Sequence, residues 1–345
     1  MPPEVQLLLE KILSCQALDA EQVQAAFTRV MQGDCSEVDV ASLLTALRCH
    51  GETVAVLVGG ARALRQAARR IVTRRTGLLD TCGTGGDGLQ TFNISTAVAF
   101  VAAAAGVPVA KHGNRSATSR SGSADVLEAL GCRLELTPEQ MGLCLDELGI
   151  TFCFAPCVHP AMRHVASVRR QLPFPTIFNL LGPLTNPAGV EYQLLGASGE
   201  SRAQLLAETI RHLGTRQTFV VCGAGGEDEV SIAGVTQVWQ VRSNEMRTMT
   251  WHPRPLGLET ADISVLKVDS PQASAELILR VFRGERGPAR DAVVLNAAAA
   301  LLAAEHVPSL ESGVALAQQI LDTGQAERLL QLFVNKTREL QQMAE

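Results

Sequence analysis

The stretch Gly77-Leu78-Leu79-Asp80-Thr81-Cys82-Gly83-Thr84-Gly85-Gly86-Asp87-Gly88 decides the fold. A short apolar run, Gly77 to Cys82, reads as a strand and opens directly into a glycine-rich turn. A helix is predicted from Ser95 to Ala105, then a strand over Val107 to Lys111, then a helix from Ser123 to Leu130. Strands that alternate with helices imply a parallel sheet, so the fold class is α/β. Gly106, Gly131 and Gly149 stand where helix C′ residues belong, and Thr137-Pro138-Glu139-Gln140 reads as a capping box with proline at its first helical position.

Further along, strands are expected at Ile150 to Phe154, Gln193 to Ala197 and Thr218 to Cys222. A hairpin-like run follows at Thr236 to Trp251, with helices from about Ala273 onward. Upstream, from Glu4 to about Val72, apolar residues such as Val5, Leu8, Leu9, Ile12 and Leu13 recur only at helical spacing. This predicts a small helical domain, residues 1–72, of about four helices, followed by a larger α/β domain with a mostly parallel central sheet, residues 73–345. The proline-punctuated stretch of about 160–190 breaks the α/β rhythm and is expected to join the helical domain in space.

A chain of 345 residues that is 46% hydrophobic can bury a full core. Its formal charge of −5 speaks against a protein that coats nucleic acid. Nine scattered cysteines, an odd number, suit reduced thiols. The start, Met1-Pro2-Pro3-Glu4, has neither the basic cluster nor the apolar run of a signal peptide, and the apolar run Ala97 to Ala110 is too short to span a bilayer. The chain reads as cytoplasmic.

The glycine turn between a strand and a helix can direct its backbone amides at an anion. The same glycines also fit the dinucleotide fingerprint, which calls for an acidic ribose ligand about 20 residues on. No Asp or Glu occurs between Asp87 and Asp125. Lys111, His112, Arg115 and Arg120 occur there instead, with Ser95, Thr96, Ser116, Thr118, Ser119, Ser121 and Ser123. Those residues suit a phosphate. Lys111-His112-Gly113-Asn114-Arg115 follows the next strand, and in a parallel sheet both loops open onto one crevice. Cys153, Cys157 and His159 offer three zinc-type ligands without a clear fourth, so a metal site is not expected there.

These segments resemble the anthranilate phosphoribosyltransferase family. The resemblance rests on the glycine turn, Asn93-Ile94-Ser95-Thr96, the Lys111 loop with its serine-rich sequel, His159-Pro160-Ala161-Met162-Arg163, Val168-Arg169, Asn179 to Pro187, and Asp228-Glu229-Val230-Ser231, all in family order. It implies transfer of phosphoribosyl from phosphoribosyl pyrophosphate to anthranilate, with release of pyrophosphate, in tryptophan biosynthesis. It also implies Mg2+ as cofactor and a homodimer joined through the helical domain. The donor would be held by Gly83, Gly85, Gly86, Asp87, Thr91, Asn93, Ile94, Ser95, Thr96, Lys111, His112, Gly113, Asn114, Arg115, Ser116, Ala117, Thr118, Ser119 and Ser123. Arg169 would receive the anthranilate carboxylate, bordered by Gly83, Asn114, His112, His159 and Pro183. Asp228 and Glu229, helped by Ser95, would hold the metal.

The aromatic amine is already neutral near pH 7, so no general base is nominated. Thr81-Cys82 departs from the family's more usual apolar pair and is expected to be a packing variation. A nucleoside phosphorylase of like architecture is the nearest alternative, and Arg169 with the Asp228-Glu229 pair argues against it. A nucleic-acid-binding relative would need a basic surface.

Overall fold

The computed structural model describes residues 1–116 and 121–342. Four helices open the chain, α1 (Pro3–Leu13), α2 (Ala20–Gln32), α3 (Glu37–His50) and α4 (Val54–Ala67). Each boundary has a local cause. Asp19 caps α2 through the Glu21 amide, Ser36 and Asp39 form a capping box on α3, and Gly33 ends α2 with a left-handed φ of 81°.

The α/β part runs β1 (Leu79–Asp80), α5 (Ile94–Ala104), β2 (Val109–Gly113), α6 (Ser123–Ala129), α7 (Pro138–Leu148), β3 (Ile150–Phe154) and the single turn α8 (Ala155–Val158). Two further helices, α9 (Arg163–Gln171) and α10 (Phe178–Leu181), precede β4 (Tyr192–Gly196), α11 (Glu200–Leu213), β5 (Gln217–Cys222), β6 (Thr236–Arg242) and β7 (Glu245–Trp251). The chain ends in α12 (Pro271–Phe282), α13 (Pro288–Ala303), α14 (Leu310–Asp322) and α15 (Gln325–Gln342). The Thr137 capping box is present on α7, and Gly149 ends that helix in the left-handed region.

The described residues form a seven-stranded sheet of order β3-β2-β1-β4-β5-β6-β7. Strands β1 to β5 are parallel, and the β6–β7 hairpin adds an antiparallel edge. Strand β1 lies at the centre, with β2 on one side and β4 on the other, so the chain reverses its direction of winding there. In open α/β sheets that reversal places a crevice at the carboxyl ends of the central strands.

Strand β1 is shorter than the six residues read from Gly77 to Cys82. It pairs only at Leu79 and Asp80, because the next carbonyl, on Thr81, accepts a hydrogen bond from the Lys111 ammonium at 3.2 Å and leaves the ladder.

Two apolar cores lie on the two faces of the sheet. One packs α5, α7 and α12 to α15 against residues such as Leu79, Val109 and Phe219. The other packs α1 to α4 and α11 against Leu195, Val220, Trp239 and Val241, and it takes in Val165 and Val168 of α9 and Phe178 of α10. Helix α9 packs on α2 and α3, α10 packs on α4, and the rings of Phe27 and Phe178 lie 5.8 Å apart. No described helix is long and apolar enough to cross a membrane.

Candidate active site

Three elements meet at the carboxyl end of β1: the glycine turn that follows it, the first turn of α5, and the end of β2. The glycine turn needs its glycines, since Gly85, Gly86 and Gly88 have φ of 64°, 77° and 75°, where a side chain is strained. The helix N-terminus is built by Asn93-Ile94-Ser95-Thr96 and not by the turn itself, which ends well before α5. Ile94 points into the core at 2% exposure, so only its backbone faces the site.

Lys111, 3% exposed on β2, donates to the Thr81 carbonyl, the Thr81 hydroxyl at 3.4 Å and the Ser95 hydroxyl at 3.2 Å. All of these acceptors are neutral, and its charge is felt by the nearby Asp80 and Glu229 carboxylates. The Thr81 hydroxyl donates in turn to the Ser95 carbonyl at 3.0 Å. Thr81 is therefore more than the expected packing variation, because it seats Lys111 and ties β1 to α5.

Asp228 and Glu229 come from the turn after β5, across β4. Asp228 accepts from the Gly85 amide at 2.6 Å, and Glu229 accepts from the Ser95 amide at 3.1 Å. The turn approaches so closely that a Cβ on Gly83 would lie 2.7 Å from Asp228 Oδ2, and one on Gly196 would overlap the Asp228 carbonyl. Both carboxylates are half-buried, and neither is ion-paired among the described residues. Burial, followed by repulsion from Asp87, raises Asp228 to about 6, and burial with repulsion from Asp228 pushes Glu229 well above the ordinary range. The Lys111 ammonium opposes this shift at Glu229 but does not outweigh it. Adjacent carboxylates are hard oxygen ligands of the kind a divalent cation takes, and no group of three or more His, Cys, Asp or Glu side chains that could hold a metal ion occurs among the described residues.

Beneath this lies a buried polar layer. Asp80, fully buried, accepts from the His112 amide at 3.1 Å and from Asn186 Nδ2 at 2.8 Å, and Asn186 also donates to the Ala110 carbonyl. Burial raises Asp80 to about 6 against the opposing pull of Lys111. His112 Nδ1 lies 3.0 Å from the Gly182 carbonyl, which can only accept, so Nδ1 carries the proton. His112 Nε2 is then an acceptor, and His159 Nε2, 3.2 Å away, donates to it. Burial holds both rings neutral, His112 at about 3 and His159 at about 4.

Gly182 follows α10 and precedes the buried Pro183, whose carbonyl accepts from Gln193. At the other end of α10, the Arg169 guanidinium lies over the Phe178 ring, 5.3 Å from its centroid. Arg169 has no hydrogen-bond or carboxylate partner among the described residues, and burial lowers its pKa. Helix α10 thus links the arginine to the histidine pair.

Other sequence-read residues are committed locally. Arg115 forms a forked pair with Glu128 and a 3.2 Å contact to Asp125, so its charge is already matched by protein carboxylates. Asn114 is exposed, its carbonyl accepting from Ser123 Oγ at 3.3 Å. The Ser116 amide donates to Asp125, Asp87 accepts from the Leu89 amide, and Thr91 bridges to Lys267. Gly113 ends β2 within the same loop. Ala117, Thr118, Ser119 and Arg120 lie outside the described residues.

Asp80, Asn186, Ser274 and Asn296 carry no recognisable role in the sequence alone. Ser274 accepts from the Asn93 amide at 3.0 Å and donates to Asn93 Oδ1 at 2.8 Å, while Ser121 donates to the same oxygen. A buried polar residue in an apolar helix was the available signal for the last two.

A glycine turn beside a buried lysine, an adjacent carboxylate pair and a helical bundle packed on an α/β sheet are the features of a group-transferring enzyme, and the family matches place the chain in the glycosyl transferase class. Residues 75–327 match the α/β domain of a glycosyl transferase family, and residues 6–68 match the helical bundle domain described for such a family. The anthranilate phosphoribosyltransferase of Desulforamulus reducens is 47% identical over 94% of this chain and 94% of its own. That of Symbiobacterium thermophilum is 49% identical over 94% and 95%. Among solved structures, the Thermus thermophilus enzyme superposes with a TM-score of 0.90 at 44% identity, covering 96% of this chain and 99% of that one. The Saccharomyces cerevisiae enzyme in complex with PRPP and Mg gives 0.91 at 28%, covering 98% and 99%. The chain belongs to the anthranilate phosphoribosyltransferase family.

Proposed function

We propose that this enzyme transfers the phosphoribosyl group of 5-phosphoribosyl 1-pyrophosphate to the amine of anthranilate, giving N-(5-phosphoribosyl)anthranilate and pyrophosphate in tryptophan biosynthesis. The observation that carries the reading is the meeting, at one strand end, of the Lys111–Ser95 cradle with the Asp228–Glu229 pair through the Ser95 and Gly85 amides. One side attracts phosphate and the other attracts a divalent cation, as a pyrophosphate–metal substrate requires.

In this reading the donor lies against Gly83, Gly85, Gly86, Asp87, Thr91, Asn93 to Thr96, Lys111 to Ser116 and Ser123. Asp228, Glu229 and Ser95 hold Mg2+, which when bound supplies charge that neutralises the departing pyrophosphate. Lys111 adds a fixed positive charge where negative charge builds up as the anomeric C–O bond breaks. The anthranilate nitrogen then bonds to the anomeric carbon and releases its proton. No side chain is assigned as general base, and the occupied Nε2 lone pair of His112 fits that assignment.

Arg169 receives the anthranilate carboxylate. Its support is a guanidinium held over an aromatic face without an anionic partner among the described residues, a geometry suited to two charge-assisted hydrogen bonds. Gly83, Asn114, His112, His159 and Pro183 border the acceptor. We further assign residues 1–72 with about 160–190 to one unit and the rest of 73–345 to the other, supported by the shared packing of α9 and α10 with α1 to α4. The same reading makes the enzyme a cytoplasmic homodimer through the helical unit; Leu7, Leu13 and Val38, large apolar side chains exposed on α1 and α3, support the dimer.

The test is Arg169→Ala. Loss of the charge-assisted contacts is expected to raise KM for anthranilate by about one to two decades, from roughly 1.5 to 3 kcal/mol, with little change for the donor. Steady-state kinetics against both substrates checks this, and equal effects on the two would contradict the assignment.

A further inference from the structure

Helix α13 reads Pro-Ala-Arg-Asp-Ala-Val-Val-Leu-Asn-Ala-Ala-Ala-Ala-Leu-Leu-Ala, and Asn296 is a fully buried amide in the middle of its apolar run. Val293, Val294, Leu295 and Ala297 to Ala300 around it are all completely buried. An amide placed there is costly unless every polar atom finds a partner. Asn296 Oδ1 accepts from the Val230 amide at 2.8 Å, and Nδ2 donates to the Val230 carbonyl at 2.8 Å and to the Ala292 carbonyl at 3.0 Å. The N–H and the C=O of one residue are thus gripped by one side chain, and the partners fix which end of the amide is oxygen.

Val230 directly follows Asp228 and Glu229. Those two carboxylates are adjacent in sequence, and they accept from the Gly85 amide at 2.6 Å and the Ser95 amide at 3.1 Å. A turn carrying such a pair relaxes toward water unless its main chain is held. Among the described residues, Asp228 to Val230 belong to no strand that could hold them. The amide of Asn296 supplies the missing ladder from the helix behind.

We propose that Asn296 is a positioning residue for the metal-binding carboxylates, holding Asp228 and Glu229 together before the cation arrives. This rests on the metal role assigned to that pair above. The grip substitutes for pairing along a strand and keeps the two oxygens aimed at the Gly85 and Ser95 amides. Preorganisation of this kind raises affinity by lowering the ordering cost on binding.

The test is calorimetric titration of phosphoribosyl pyrophosphate, with and without Mg2+, into the full-length enzyme, Asn296→Leu and the double variant Asp228→Asn with Glu229→Gln. The gain in affinity that magnesium confers should fall about tenfold or more in Asn296→Leu, with metal-free binding unchanged. In the double variant the gain should vanish. A full magnesium gain in Asn296→Leu, beside its loss in the double variant, overturns the role of Asn296 and leaves the metal assignment standing. A full gain in the double variant overturns both. Should Asn296→Leu fail to fold, hydrogen exchange in the unmodified protein decides. The Val230 amide should exchange about a hundredfold or more slowly than that of exposed Ala224 in the same turn, and equal rates would refute the grip.

Discussion

Burial decides the chemistry of single residues here. His112 and His159 are held neutral, with folded pKa values of about 3 and about 4 against 6.5 for the free ring. Because these values are depressed, the unfolded chain binds protons that the folded chain refuses as pH falls below 6.5, and stability is lost over that window. His159→Gln retains an N–H for His112 Nε2 but removes one titrating group. The slope of unfolding free energy between pH 6.5 and 5 should therefore fall by about one proton, or about 1.4 kcal/mol per pH unit, in urea titrations at several pH values. An unchanged slope would mean that His159 is already charged in the fold. The identity of these residues was legible in the sequence, since the loops that carry them are contiguous. Their tautomers were not, because those depend on the Gly182 carbonyl, 70 residues away in the chain. Nor was the commitment of Arg115 to Glu128, which needs α6 folded back beside the loop.

Among the elements, the strand ends do most to place the site. The parallel strands were legible from their apolar runs and the glycines that punctuate them, and the four opening helices from their periodicity. The shortening of β1 was not legible, because Thr81 reads as a strand residue until Lys111 from β2 takes its carbonyl. Close approach between elements is equally hidden in a sequence. Gly196 ends β4 like any glycine, yet its missing Cβ is what admits the Asp228 backbone. Gly196→Ala must move main chain, not a flexible side-chain tip, so it should cost about 1–3 kcal/mol of stability and weaken magnesium dependence together. A urea midpoint and a magnesium titration equal to those of the unmodified enzyme would show that the turn has room to spare.

For the whole molecule, composition and periodicity separate a helical segment from an α/β segment, but they do not show that the two share a core. Val5, Val23 and Leu57 of the helical bundle belong to the same apolar cluster as Leu195, Val220 and Trp239 of the sheet. The two tryptophans report on different cores, Trp239 on this one and Trp251 on the other. Unfolding should be one cooperative event, with tryptophan fluorescence and far-ultraviolet circular dichroism coincident in urea. Separate transitions would contradict a shared core. Whether this crevice joins anthranilate to a ribosyl donor is measured directly. Anthranilate fluorescence and pyrophosphate release are followed together after the purified enzyme meets phosphoribosyl pyrophosphate and Mg2+. Loss of fluorescence matched one to one by pyrophosphate is expected. Donor binding with neither signal would leave the phosphate cradle in place and contradict the acceptor.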